Sequence, residues 1–212
     1  MYDNVGGPLQ VITNNTLATI DLLNTINFSG YTPAGGAVYP AGNFGTALKS
    51  VAALIKAQVG VEAIALDVQG WDTHTNQGTT VGTLATLIAT VAGAMGAFYT
   101  DMTNGPTTPG FIIEVQSEFG RRLLENGTAG NAGTDHGHGN MMLLLGPCIS
   151  GGRVLTRWPG LAPQNLFEGR DLQVTIDYRN VLAEIVQQRL GNTNLDYVFP
   201  DFTTAFENVT AC

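Results

Sequence analysis

The sequence predicts an α/β protein with a mainly parallel sheet and helices on both of its faces. Three observations predict it. Apolar runs of strand length, at 61–68, 111–116 and 141–145, alternate with segments of helical periodicity. These runs are apolar throughout rather than at every second residue, as in strands buried on both faces. Two of them lead directly into polar clusters, at 70–74 and 117–121, where open α/β sheets hold their ligands.

Taken in order, residues 1–44 predict irregular chain with one short helix near 16–23, because Gly-Gly-Pro, Tyr-Thr-Pro-Ala-Gly-Gly and Tyr-Pro-Ala-Gly interrupt any longer element. Residues 45–191 predict the core. Leu48, Val51, Ala52 and Ile55 repeat at helical spacing from Asn43 onward, and Gly60 stops that helix. The run 61–68 predicts a buried strand. Leu84, Leu87, Ile88, Val91, Met95 and Phe98 then mark one face of a long helix ended by Asn104-Gly-Pro. Strands follow at 111–116 and 141–145, with a short edge strand near 152–155. The last helix predicts Asp177 as its N-cap, Leu182, Ile185, Val186 and Leu190 as its inner face, and Gly191 as its stop. Residues 192–212 read as a C-terminal tail.

Composition narrows the function. The chain has 212 residues, 44% of them hydrophobic, which is enough for one sizeable core. Its formal net charge of -8 and the lack of any basic stretch exclude nucleic-acid binding through phosphates. The same acidic field disfavours an anionic substrate unless a bound cation inverts it locally. No run reaches the ~18 continuous apolar residues of a membrane span, and residues 1–10 lack the pattern of an export signal. The two cysteines, Cys148 and Cys212, lie in no metal-knuckle spacing, and spacing alone leaves their pairing open.

The chemistry-bearing residues fall in three clusters. Asp72 and His74 alternate after the first predicted strand, so in extended chain both point to one side. All three histidines of the chain lie here or in the glycine-rich segment Gly133-Thr-Asp-His-Gly-His-Gly139. Asp135, His136 and His138 therefore join Asp72 and His74 as candidate metal ligands. Imidazole and carboxylate together suit zinc first, then manganese or iron. The third cluster, Ser117-Glu-Phe-Gly-Arg121, offers Glu118 as a ligand or base and Arg121 as a bidentate holder of a phosphate or sulfate oxygen.

Six segments recur in a recognisable order: GWDTHTNQ at 70–77, SEFGRR at 117–122, GTDHGHGN at 133–140, GGRV at 151–154, WPGL at 158–161 and DYRNVLAEI at 177–185. Over 39–191 the chain resembles the bacterial family called domain of unknown function 1501, and through it the alkaline-phosphatase-like superfamily. The resemblance implies a parallel sheet with metal ions at its carboxyl edge, one held by Asp72, His74 and His136. It implies a metal-dependent hydrolase of a small anionic phosphate or sulfate ester. Where the superfamily uses a second Asp-His pair, this chain has Glu118-Phe119, and phenylalanine cannot ligate. The resemblance also implies an early strand and a nucleophile loop that these residues do not contain, hence a truncated member with weak activity or none. The contrasting expectation is a non-catalytic exported binding or assembly protein with one structural metal. An extracytoplasmic home and self-association through an exposed sheet edge complete the expectations.

Overall fold

A computed structural model describes residues 7–106, 108–127 and 130–211. They form two compact units, one made of the described residues of 1–67 and 90–109, the other of those of 68–89 and 110–212.

The first unit holds α1 (Pro8–Asn24), α2 (Asn43–Lys56) and, of α3 (Thr83–Thr103), the part from Thr90 onward. Pro8 opens α1 at the first helical position, where its missing N–H leaves nothing unpaired. This helix is longer than the short one expected near 16–23, and it buries none of its residues. On α2 the buried positions are Gly45, Leu48, Ala52 and Ala53; on α3 they are Val91, Ala94, Met95, Ala97, Phe98, Asp101 and Met102. These spacings are those of one helical face. Phe98 is almost fully covered, and its burial stabilises the unit by about 1.5–3 kcal/mol. By length and composition alone α3 is long and apolar enough to cross a membrane.

A buried carboxylate organises this unit. Asp101 is completely covered, and its oxygens accept from Lys56 Nζ at 2.5 Å, the Ala34 N–H at 2.7 Å, the Tyr31 hydroxyl at 2.8 and 2.9 Å, and the Tyr39 hydroxyl at 2.9 Å. A buried charge persists only when paired and hydrogen-bonded in this way. Burial pushes the Asp101 carboxyl up, but the donors from Lys56, Ala34, Tyr31 and Tyr39 outweigh it and hold it below its ordinary value. Burial, followed by the hydrogen bond to Asp101, pushes both tyrosine hydroxyls well above theirs.

The second unit is built on a long antiparallel arm. Strand β1 (Ile113–Gln116) pairs with β4 (Met142–Leu145) so that Ile113 faces Leu145 and Gln116 faces Met142. Between them, β2 (Gly120–Arg121) pairs with β3 (His136–Gly137), and a bridge joins Asn126 to Gly133. The three sets of pairs follow one antiparallel course, with the register slipping by one residue between the first and second sets and by two between the second and third. Arg121 and His136 therefore stand directly opposite each other. Helix α4 (Tyr178–Leu190) follows, then the single turn α5 (Leu195–Val198). Asp177 caps α4 by accepting from the Arg179 N–H at 2.9 Å, and Gly191 ends it in the left-handed region at φ 69°. Glu184 on α4 accepts from both the N–H and the hydroxyl of Thr210 at 2.7 Å, so residues 209–211 run tied against 148–150 rather than as a loose tail. Cys148 is disulfide-bonded; Cys212 lies outside the described residues.

The expected mainly parallel sheet with helices on both faces is overturned. Among the described residues there are five α-helices and two short two-stranded sheets, both antiparallel. Two physical reasons account for the difference. A parallel pair needs a crossover of a dozen or more residues, usually a helix. The described residues of 117–141 contain none and fold back on themselves through β2 and β3, so β4 returns antiparallel to β1. The second reason is at 61–68. That run is extended, but its residues make no backbone hydrogen bond among the described residues, and Val61, Ile64 and Leu66 are each at least 40% exposed. Apolar, β-prone sequence makes a strand only where a ladder partner exists. The short strand expected near 152–155 is likewise absent, with Val154 88% exposed. On α4 the buried residues are Val181, Ala183 and Glu184, while Leu182, Ile185 and Val186 of the expected inner face are half-buried and Leu190 is exposed.

Candidate metal centre

The centre lies in the second unit, where the loop after residue 70 meets the returning strand of the arm. Local sequence joins the two. Thr134 N–H donates to the Thr73 carbonyl at 3.3 Å, and Gln77 N–H to the Ala132 carbonyl at 3.1 Å. The hydroxyls of Thr73 and Thr134 both donate to Gln77 Oε1, at 3.0 and 2.7 Å. Gly133 allows the close approach: a Cβ there would run into the Thr73 carbonyl and the backbone of His74. Gly133→Ala is therefore expected to cost about 1–3 kcal/mol, read as a lowered urea midpoint at unchanged slope, together with weaker metal uptake.

Within this frame one ligand atom each from Asp72, His74 and His136 lie within 4.8 Å of one another. Asp72 Oδ1 stands 2.9 Å from His74 Nε2 and 2.6 Å from His136 Nε2. His74 Nδ1 faces Asp135 Oδ1 at 2.8 Å. A neutral imidazole carries one N–H, so in that form His74 cannot donate to both carboxylates. A divalent cation among Asp72 Oδ1 and the two Nε2 atoms removes that conflict, since each would then present a lone pair. The donor set of two imidazoles and one carboxylate fits zinc, manganese or iron.

The ring of His136 is held on both sides. It stacks on Phe119 with centroids 3.8 Å apart at 7°, and on His74 at 4.9 Å and 26°. The hydrogen bond to His136, aided by the charge of His74, His136 and Arg121, holds the Asp72 carboxyl below its ordinary value. The hydrogen bonds from His74 and Asn126 do the same for Asp135. An open pocket of about 460 Å³ adjoins the cluster, lined by Asp72, Glu118, Phe119 and His136.

The structure thus brings Asp72, His74 and His136 together, with Glu118 on the pocket wall. It places three of the sequence candidates otherwise. Asp135 sits behind His74, on the nitrogen turned away from Asp72. His138 stacks on Phe167 at 3.7 Å. The Arg121 guanidinium donates to the carbonyls of Trp71 and Thr134 and lies over the Phe119 ring, so it ties the two ligand loops together rather than facing the pocket. Arg179 pairs with Asp177 at 2.6 Å and covers Phe202. Sequence reasoning missed Gln77 and Asn126. A glutamine three residues after His74 and an asparagine opening the glycine-rich loop were the only signals, and neither is specific.

Two imidazoles and a carboxylate on adjoining loops, open on one side, define a candidate mononuclear metalloprotein. The chain belongs to the family described as "Protein of unknown function (DUF1501)", whose family model matches residues 35–198. No curated protein and no solved structure matches it.

Proposed function

We propose that this chain binds one divalent transition metal at Asp72, His74 and His136 and hydrolyses phosphate or sulfate esters there. The observation that carries the proposal is the three-atom cluster with an open pocket beside it. Structural zinc sites close with four protein ligands, whereas catalytic ones keep a position for water or substrate. The bound ion would polarise the ester and supply positive charge where the pocket has none of its own. Asp72, His74 and His136 would hold it, and Phe119 would keep the His136 ring in place. Glu118, exposed on the pocket wall, would take the proton of the attacking water. None of the described residues lining the pocket bears a hydroxyl, so water rather than a side chain is the nucleophile in this reading. The disulfide at Cys148 supports an extracytoplasmic home, since such bonds persist in oxidising compartments.

A second reading keeps the metal and drops the catalysis: an exported binding or assembly protein with the ion as a structural pin. The engagement of Arg121 with two backbone carbonyls favours it, because among the described residues no cationic side chain then lines the pocket to receive an anion.

The test measures bound metal in the purified chain and turnover of nitrophenyl phosphate monoester, diester and sulfate, beside His74→Ala. Turnover that needs zinc or manganese and vanishes in the variant is the expected result. Stoichiometric metal with no turnover on any ester supports the structural pin instead.

A further inference from the structure

We infer that Asp135 is a positioning residue for the metal centre: its carboxylate fixes which nitrogen of His74 meets the ion. The inference rests on the metal reading of Asp72, His74 and His136. Asp135 Oδ1 lies 2.8 Å from His74 Nδ1, while the opposite nitrogen, Nε2, points at Asp72. An imidazole whose Nδ1–H is held by a carboxylate has its proton fixed there and its lone pair fixed on Nε2, and it becomes a stronger donor to the metal.

Asp135 is itself held for this task. Asn126 Nδ2 donates to its Oδ1 at 2.6 Å, Arg122 Nη1 lies 3.4 Å from its Oδ2, and the Arg122 N–H donates to its backbone carbonyl at 3.0 Å. Asn126 is positioned in turn by the Gly133 N–H, which donates to its Oδ1 at 3.2 Å, and by its own N–H on the Gly133 carbonyl at 2.9 Å. Both carboxylate oxygens thus face side chains of the arm or His74. To ligate an ion between Asp72 and His136, Asp135 would have to break these bonds and pass the His74 ring. The glycine-rich loop consequently supplies one ligand, His136, and one orienting group, Asp135, from adjacent residues. In extended chain adjacent side chains point to opposite sides, which suits one residue to the ion and the other to the back of His74.

The experiment titrates the metal-free full chain with zinc by calorimetry, for the wild type, Asp135→Ala and Asp135→Asn. It also locates the His74 ring proton in the zinc-loaded proteins by long-range proton–nitrogen NMR. Asp135→Ala is expected to weaken zinc binding by about 10–100-fold. Asp135→Asn keeps an acceptor for Nδ1–H without the charge, so a smaller loss is expected. The NMR spectrum should show a protected Nδ1 proton on His74 in the wild type and in Asp135→Asn, and none in Asp135→Ala. A purely structural role would not move that proton. Should the alanine variant fail to fold, the asparagine variant decides alone, by weaker zinc binding with the Nδ1 proton retained. Zinc affinity equal to wild type in the folded variants overturns the inference while leaving the metal centre intact. A wild type that takes up no zinc overturns both.

Discussion

Replacing His136 with alanine is expected to weaken zinc binding roughly 10²–10³-fold, while replacing His138 leaves it unchanged. Structural zinc sites with four protein ligands bind with apparent free energies of ~10–16 kcal/mol, or ~2.5–4 kcal/mol per ligand, and 1.4 kcal/mol is a factor of ten. His136 contributes one of three ligand atoms in the cluster, so its loss removes about that much. His138 is two residues further on, but its ring lies flat on Phe167 and belongs to a different contact. Calorimetric zinc titration of the two variants compares them directly. Equal losses would mean that the glycine-rich loop holds the ion differently from the geometry described.

The second large effect lies in the other unit. Asp101→Ala is expected to destabilise it by about 3–5 kcal/mol, because removing one partner of a buried pair strands the other charge. The loss also leaves the Tyr31 and Tyr39 hydroxyls and the Ala34 N–H without their acceptor. The double replacement Lys56→Met with Asp101→Ala should recover only part of the loss, since those three donors stay unpaired. Urea unfolding followed by tyrosine fluorescence reads both variants. The pH dependence follows from the same group. The Asp101 carboxyl lies below its ordinary value of 3.8 in the folded chain, so it adds stability above that pH. This contribution is lost as the pH falls from about 4 through the lower folded value. Tyr31 and Tyr39 have raised values, so they cost nothing below their ordinary 10.0 and oppose folding as the pH climbs past it. The unit should therefore weaken at both extremes, and Asp101→Ala should flatten the acid limb.

Legibility in the sequence followed how local each feature is. Helix α4 was readable at both ends because Asp177 and Gly191 act within a turn of their own position. The positions of β1 and β4 were readable, but their direction was not. Direction depends on whether the 25 residues between them form a crossover helix, and instead they fold into β2 and β3. The run at 61–68 has the composition of a strand without the partner that makes one. At the candidate metal centre, three histidines confined to two segments pointed to the cluster in which Asp72, His74 and His136 lie together. The separate duties of Asp135, Arg121 and His138 were not readable, because they depend on which ring nitrogen or guanidinium edge faces which loop. Asp101 carried an overlooked signal: a single carboxylate in the helical register of Val91, Ala94, Met95 and Phe98 must be buried with a partner.

X-ray absorption at the zinc edge of the zinc-loaded chain tests the central claim most directly. The expected spectrum has a first shell of nitrogen and oxygen at about 2.0–2.1 Å with the outer-shell pattern of two imidazoles. An ion bound with one imidazole or none, or no ion retained after dialysis, would contradict the convergence of His74 and His136 on a single cation.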